Sequence, residues 1–316
     1  MCIRDSLSTE DFAQLVQRVI DAPEELKFGV FNALSDNGEK LLDISAAQSQ
    51  LDYKPQHDAY AIADSPSGKP FMNKKIVFQD TETVVCADAD TPTIATPDDI
   101  LIQTSASIIS AGTELSIWAR LESWAPLPNT PGYGSVGKVL EIGKAVEGVV
   151  PGDMIFTHGP HQKIALAKNY AQKIPDGLDP KEAVLTRMAA VAITAVMVSD
   201  RKIGDTVAVC GLGLVGNLAA QLFALSGCKV VGIDVSPARR AVMQKCGVAT
   251  VMDGKNDLAT ELKNLTDGRG VHAFVDATGL PGVIESSIHS IAAGGECILL
   301  GTPRGEVQGD LVPLLR

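Results

Sequence analysis

Three glycines constrain what the second half of this chain can become. Val207-Ala-Val-Cys210 is a short apolar run that leads into Gly211-Leu212-Gly213-Leu214-Val215-Gly216. A helical pattern begins at once, from Leu214 to Ser226, and a second apolar run, Lys229-Val-Val-Gly-Ile, closes on Asp234. A lone G-x-G-x-x-G is weak evidence. A strand before it, a helix after it and an acid at the next strand end make it a dinucleotide-binding fingerprint. Gly211 permits the tight turn, Gly213 lets a pyrophosphate approach the backbone, and Gly216 lets helix and strand pack closely. The pyrophosphate is expected on the free N–H groups at the helix start, where the helix dipole favours negative charge. Leu212, Leu214 and Val215 complete that cradle. Asp234 is placed to accept hydrogen bonds from ribose hydroxyls and to repel a 2′-phosphate, so the expected cofactor is NAD rather than NADP. Arg239 and Arg240 follow. A basic residue there can bind a 2′-phosphate, but beside Asp234 we read Arg239 as flanking the ribose.

From Ile203 onward the pattern alternates strand and helix. Thr206–Cys210, Lys229–Ile233, Thr250–Met252, Val271–Asp276 and Glu296–Leu300 read as buried parallel strands. Leu214–Ser226, Pro237–Cys246, Asp257–Thr266 and Pro281–Ala292 read as helices. Such alternation predicts a doubly wound sheet. Ligands bind outside the carboxyl ends of strands in that architecture. Thr278, after the fourth strand, and the Gly301 backbone, after the fifth, are therefore expected beside the nicotinamide half. Thr278 could also cap the helix that begins near Pro281.

The chain has 316 residues, room for two domains with separate cores. Its net charge of −11 argues against non-specific nucleic-acid binding, which requires clustered Lys and Arg. The six cysteines (Cys2, Cys86, Cys210, Cys228, Cys246 and Cys297) include no C-x-x-C pair and suggest reduced thiols in a cytoplasmic protein. The apolar run from Met188 to Val198 is too short to span a bilayer, and the N-terminus has no signal-peptide core.

Two sequence styles meet near residue 70. Residues 7–60 read as a small helical piece with one strand: helix over Ala13–Val19, strand over Phe28–Leu34, helix over Ile44–Leu51. Residues 61–70 are rich in Ser, Gly and Pro, a linker by composition. Met72-Asn-Lys-Lys-Ile-Val-Phe78 then looks like a fresh protein start. Residues 7–60, with Glu10-Asp-Phe-Ala-Gln-Leu-Val16 and Leu51-Asp-Tyr-Lys-Pro-Gln56, resemble the C-terminal end of extended short-chain dehydrogenases of the epimerase and uronate dehydrogenase group. The glycine turn and Tyr-x-x-x-Lys pair of that family are absent from this piece. We read residues 1–71 as the tail of one reading frame joined to the front of another, with residues 1–6 as a scar. A true fusion is the competing reading.

From Met72 to about Ala195 the pattern is short strands separated by turns, including Ile100–Ser110 and Gly134–Ile142, with Gly137 marking a bulge or close backbone approach. Pro180 suits the first turn of a helix that follows. Ala111-Gly-Thr-Glu114, Pro131-Gly-Tyr-Gly-Ser-Val-Gly-Lys-Val139, Gly143, Gly152-Asp153, Ile174-Pro175, the glycine turn and Asp276-Ala-Thr-Gly279 together resemble the medium-chain dehydrogenase/reductase superfamily. The resemblance runs from Met72 to Arg316. It implies an α/β protein: a GroES-like β-rich substrate domain (72–195) and a doubly wound Rossmann domain (196–316), behind a short α/β fragment and linker (1–71). It also implies a dehydrogenase acting on a small alcohol or ketone, homo-oligomeric at full length. Members continue past the fifth strand, so the chain is expected to be C-terminally truncated.

Zinc members place Cys where this chain has Ala111, a His-Glu pair at Tyr133-Gly134 and a further ligand around Arg187-Met188. Ala, Tyr and Arg do not make a zinc site, so no metal is expected. His158 and His161 are expected on the surface. Without zinc, a hydroxyl or a cation must stabilise the substrate oxygen. Tyr133 is the first candidate, Thr113 and Arg187 follow, and Glu114 could orient one of them. The leading expectation is an NAD-dependent, zinc-independent alcohol or polyol dehydrogenase. An NADPH-dependent quinone or enoyl reductase and a non-catalytic nucleotide-binding fragment are the alternatives.

Overall fold

The computed structural model describes residue 54 and residues 73–81, 83–167 and 170–308. The helices and strand expected within residues 7–60, the linker and Met72 fall outside that set, Lys54 excepted. The chain divides into two compact units, Met1–Val184 and Leu185–Arg316.

In the first unit, β1 (Asn73–Phe78) and β2 (Val84–Ala89) form an antiparallel pair. A five-stranded antiparallel sheet has the order β6-β3-β4-β5-β7, with β3 Ile100–Ser107, β4 Ser135–Ile142, β5 Met154–Thr157, β6 Ile164–Ala167 and β7 Ala171–Lys173. Ile100, Ile102, Val139, Val149, Ile155, Ala165 and Ala167 form its core. Gly137 behaves as its sequence suggests. A Cβ there would stand 2.7 Å from the Gln103 carbonyl oxygen, and the β3/β4 register shifts between Thr104 and Ala106, beside it.

One element differs from expectation. The segment after β3 is not a turn between strands: the strand stops at Ser107, and Ala111–Trp118 form a helix, α1. Three small or polar residues in its first turn hide the helical signal, but Glu114, Ser116 and Ile117 are buried along one side. A short helix α2 (Pro180–Ala183) ends this unit. Pro180 stands at its start, and the Asp179 side chain accepts from the Lys181 N–H at 2.8 Å.

In the second unit, α3 (Thr186–Val198) precedes a five-stranded parallel sheet of order β10-β9-β8-β11-β12. Its strands are β8 Thr206–Cys210, β9 Lys229–Asp234, β10 Thr250–Asp253, β11 Val271–Asp276 and β12 Ile291–Leu299. The helices are α4 (Leu214–Leu225), α5 (Pro237–Lys245), α6 (Leu258–Leu265) and α7 (Pro281–Ser287). Successive strand residues point to opposite faces, and the buried residues divide accordingly. Val207, Val209, Ala273 and Val275 pack with Ala195, Ala220, Phe223 and Met243 of α3, α4 and α5. Ala208, Cys210, Val231, Ile233 and Phe274 pack with Leu258 and Leu262 of α6. A sheet covered on both faces explains strands that read as continuous apolar runs.

The end of the expected fourth helix also differs. Pro281–Ala292 reads as one helix in sequence, but α7 stops at Ser287, a 3-10 turn covers Ile288–Ser290, and β12 starts at Ile291. Pairing with β11 overrides the alanine-rich pattern: Ile291 partners Val271, and the register then jumps to Glu296 opposite Ala273. Gly294, at φ +75°, lies in the stretch that the jump leaves over.

Candidate functional site

In the second unit the carboxyl ends of β8, β9 and β11 lie side by side, with Cys210 level with Ile233 on one flank and Asp276 on the other. The loop after β8 therefore opens where the strand order reverses, between β8 and β11. Gly211 has φ +92°, a conformation that side chains disfavour. A Cβ on Gly216 would stand 1.8 Å from the Gly211 carbonyl oxygen, so α4 can start against β8 only with glycine there. A Cβ on Gly213 would meet nothing within 4 Å. Gly213 is the N-cap of α4 and offers no side-chain cap, and the first N–H groups of a helix have no intrahelical acceptor. Leu214 is exposed and Val215 half-buried beside that open space. This uncapped cradle fits a pyrophosphate.

Asp234 is 4% exposed and already engaged. One carboxylate oxygen accepts the Leu212 N–H at 2.8 Å and the other accepts the Ser236 N–H at 2.8 Å. Arg239 lies 3.5 Å from Asp234 Oδ2. Arg240 donates to the Asp234 carbonyl and pairs with Asp253 at 3.1 Å. The acid thus braces the glycine loop from the next strand end, a task the spacing alone did not reveal.

Asp276, on the other flank, braces the turn that follows its own strand. It is fully buried and accepts from the Thr278 N–H at 3.0 Å, the Thr278 hydroxyl at 2.6 Å and the Gly279 N–H at 3.0 Å. The Thr278 hydroxyl also accepts from the Leu280 N–H at 3.0 Å, which makes it a turn former; Leu280 is the N-cap of α7. The Gly301 N–H donates to the Asp276 carbonyl at 2.8 Å. Cys210, at the end of β8, has its thiol pushed up to about 12 by burial, then by the nearby Asp276 and Asp234 charges.

The other candidates gather in the first unit, except Arg187, which is half-buried in the first turn of α3. The Tyr133 hydroxyl donates to Ser110 Oγ, and Ser110 Oγ lies 3.4 Å from Thr113 Oγ1. Glu114 is 3% exposed. Its Oε1 accepts the Ser110 N–H at 2.8 Å, and its Oε2 faces His161 Nε2 at 3.2 Å. His161 is a correction: it is 4% exposed, not a surface residue, and its Nδ1 meets Ser107 Oγ at 2.8 Å. The Gly159-Pro160 turn separates the two histidines, and only His158 stays outside, its ring stacked on Tyr170 at 5.0 Å. Sequence reading missed Ser107, Ser110 and His161. No local pattern links His161 to Glu114, which lies 47 positions earlier.

A profile of the zinc-binding dehydrogenase family matches residues 215–316. D-guloside 3-dehydrogenase of Shigella flexneri is 30% identical over 166 residues, 51% of this chain and 47% of that protein. The chain thus spans about half the length of this relative. L-threonine 3-dehydrogenase of Caldanaerobacter subterraneus subsp. tengcongensis is 28% identical over 252 residues, covering 68% of this chain and 72% of the relative. The chain is thus similar to dehydrogenases of the medium-chain dehydrogenase/reductase superfamily. Among solved structures, an NADP-bound protein from Sinorhizobium meliloti 1021, assigned as a zinc-binding dehydrogenase, shares the fold. Its TM-score is 0.71 at 24% identity, over 78% of this chain and 82% of that one.

The superfamily's zinc does not fit the donors present. Ala111 has no donor atom, the Tyr133 hydroxyl is bonded to Ser110, and Arg187 is a cation. Among the described residues no three His, Cys, Asp or Glu side chains converge as a ligand set. No helix of the described residues is long and apolar enough to cross a membrane.

Proposed function

We propose that the chain is an NAD-dependent oxidoreductase that moves a hydride between the nicotinamide and a small alcohol or ketone, a polyol or sugar derivative, without zinc. The observation that carries this reading is the uncapped start of α4 behind Gly211, Gly213 and Gly216, braced by Asp234. The bound cofactor supplies the hydride acceptor. Gly211–Gly216 hold its pyrophosphate through backbone N–H groups, and Thr278 and the Gly301 backbone border its nicotinamide end. The Asp234 charge favours free ribose hydroxyls over a 2′-phosphate, and Arg239 is partly neutralised by that same carboxylate. When substrate binds, the Ser110–Tyr133 hydrogen bond reverses, so that Ser110 Oγ–H donates to the phenol oxygen and Tyr133 donates its own proton to the substrate oxygen, with Thr113 beside it, Glu114 orienting them and Arg187 supplying positive charge. Residues 72–195 form the substrate domain and residues 196–316 the nucleotide domain.

The first test is thermal unfolding of the full chain with NAD or NADP. Ligand at about a hundred times its Kd adds about 2.7 kcal/mol to the folded state. A clear rise in Tm with NAD is expected, and no rise with either nucleotide would remove the assignment. Asp234→Asn keeps one acceptor and loses the charge. It is expected to shift the NAD-to-NADP affinity ratio toward NADP by about tenfold, and an unchanged ratio would argue against Asp234 as the discriminator.

Turnover is then read with L-threonine, (R,R)-butanediol and methyl guloside, each with NAD. Tyr133→Phe removes one donor to the substrate oxygen and is expected to lower kcat by about 10²–10³-fold while leaving NAD affinity in place. Full activity in that variant rejects Tyr133. Nucleotide binding without turnover of any probe supports the non-catalytic reading.

A further inference from the structure

We propose that His161 is a positioning residue: through Glu114 and Ser110 it fixes the orientation of the Tyr133 hydroxyl. The proposal rests on the functional reading above and deepens it.

A buried carboxylate is unfavourable unless its oxygens are paired. Glu114 has both oxygens paired, and they reach in different directions. Oε2 takes the His161 ring at 3.2 Å, and Oε1 takes the backbone N–H of Ser110 at 2.8 Å. Ser110 is the N-cap of α1 but makes no side-chain cap bond. Its backbone is held instead by Glu114, one turn into the helix, which leaves its hydroxyl for Tyr133 and Thr113. The linkage from the imidazole to the phenol therefore runs through one carboxylate and one serine.

His161 also grips Tyr133 from the other side. Its backbone N–H donates to the Pro131 carbonyl at 2.9 Å, two residues before Tyr133. A Cβ on Gly132 would stand 2.7 Å from that same His161 nitrogen, so the turn carrying Tyr133 lies directly against it. The ring is fixed in turn by Ser107 at the end of β3, through Nδ1 at 2.8 Å. With Nε2–H donating to Glu114, Nδ1 is free to accept the Ser107 hydroxyl proton. Three segments are tied to His161, which sits in the loop before β6: the end of β3 and the start of α1 through its ring, and the turn before β4 through its backbone N–H. A hydroxyl that replaces a metal ion as oxygen-stabiliser must be held in a fixed place to act, and this arrangement fixes it.

The test uses the full chain labelled with 3-fluorotyrosine. The chain has four tyrosines, so the Tyr133 fluorine signal is assigned by its loss in Tyr133→Phe. In His161→Leu the Tyr133 signal is expected to shift or broaden, with the Tyr170 signal in place. His161→Gln, which keeps a donor for Glu114, is expected to restore much of the original position. An unmoved Tyr133 signal in His161→Leu overturns the proposal whether or not a substrate has been found. If His161→Leu does not fold, His161→Gln decides. A Tyr133 signal near the wild-type position, lost again when Glu114→Ala is added, supports the linkage. A position that Glu114→Ala does not change overturns it.

Kinetics separate this proposal from the functional reading. With a substrate that turns over, His161→Leu is expected to lower kcat at least tenfold with little change in KM and none in NAD affinity. In a Tyr133→Phe background the same substitution is expected to cost nothing further. Additive losses would mean that His161 does not act through Tyr133, with Tyr133 still catalytic. Full activity of Tyr133→Phe alone would sink the catalytic reading and leave the fluorine result standing as structure.

Discussion

Gly216→Ala is expected to weaken NAD binding at least about tenfold while leaving a folded, less stable protein. The added methyl would stand 1.8 Å from the Gly211 carbonyl oxygen, and backbone cannot yield as the tip of a long side chain can. The start of α4 must therefore move away from β8. Overpacking of this kind costs about 1–3 kcal/mol in stability. The loss in binding is larger in relative terms, because the displaced N–H groups are the ones a pyrophosphate needs. A weakening of at least about tenfold, or 1.4 kcal/mol, is expected by calorimetric titration. Gly213→Ala is the control: its methyl meets no protein atom within 4 Å. It is expected to leave Tm nearly unchanged and to weaken NAD by occupying the nucleotide's own space. Wild-type NAD affinity in Gly216→Ala would show that the cradle is not the binding site.

Asp276→Ala is expected to be strongly destabilising in the second unit. The carboxylate is fully buried and receives three hydrogen bonds from two adjacent residues. Its removal orphans the Thr278 and Gly279 N–H groups beneath the loop. Each orphaned buried group costs about 1–3 kcal/mol, so roughly 2–6 kcal/mol is at stake. A fall in Tm on the order of 10 °C corresponds to that range. Thr278→Val removes only the hydroxyl donor and should cost about 1 kcal/mol. Comparable falls in both variants would mean that the backbone N–H groups find other partners and that Asp276 does not hold the loop.

The second unit was largely legible in sequence because its determinants are local. The glycine turn, the apolar strands and the proline at the start of α5 each sit within one supersecondary step. Where reading failed there, at Ile288–Ile291, a pairing with distant Val271 overrode a helix-like composition. The first unit was less legible for the same reason, at greater range. Helix α1 is too short and too polar at its start to show a period. His161 looked superficial because its partners, Ser107 and Glu114, lie 54 and 47 positions away. Asp234 reads in sequence as an acid placed for a ribose, but its bond to the Leu212 N–H depends on two strand ends standing level. Sequence spacing gives the chemistry available at a site; it does not give the second task that a side chain takes up once neighbours arrive.

That bond has a further consequence. Asp234, itself held by the Ser236 N–H, fixes the Leu212 N–H at the crest of the loop through the protein's own bonds, which leaves little ordering to accompany docking of the proposed cofactor. For the cofactor proposed above, association with such a pre-ordered loop is expected to be close to lock-and-key, with an affinity governed by how fast it escapes.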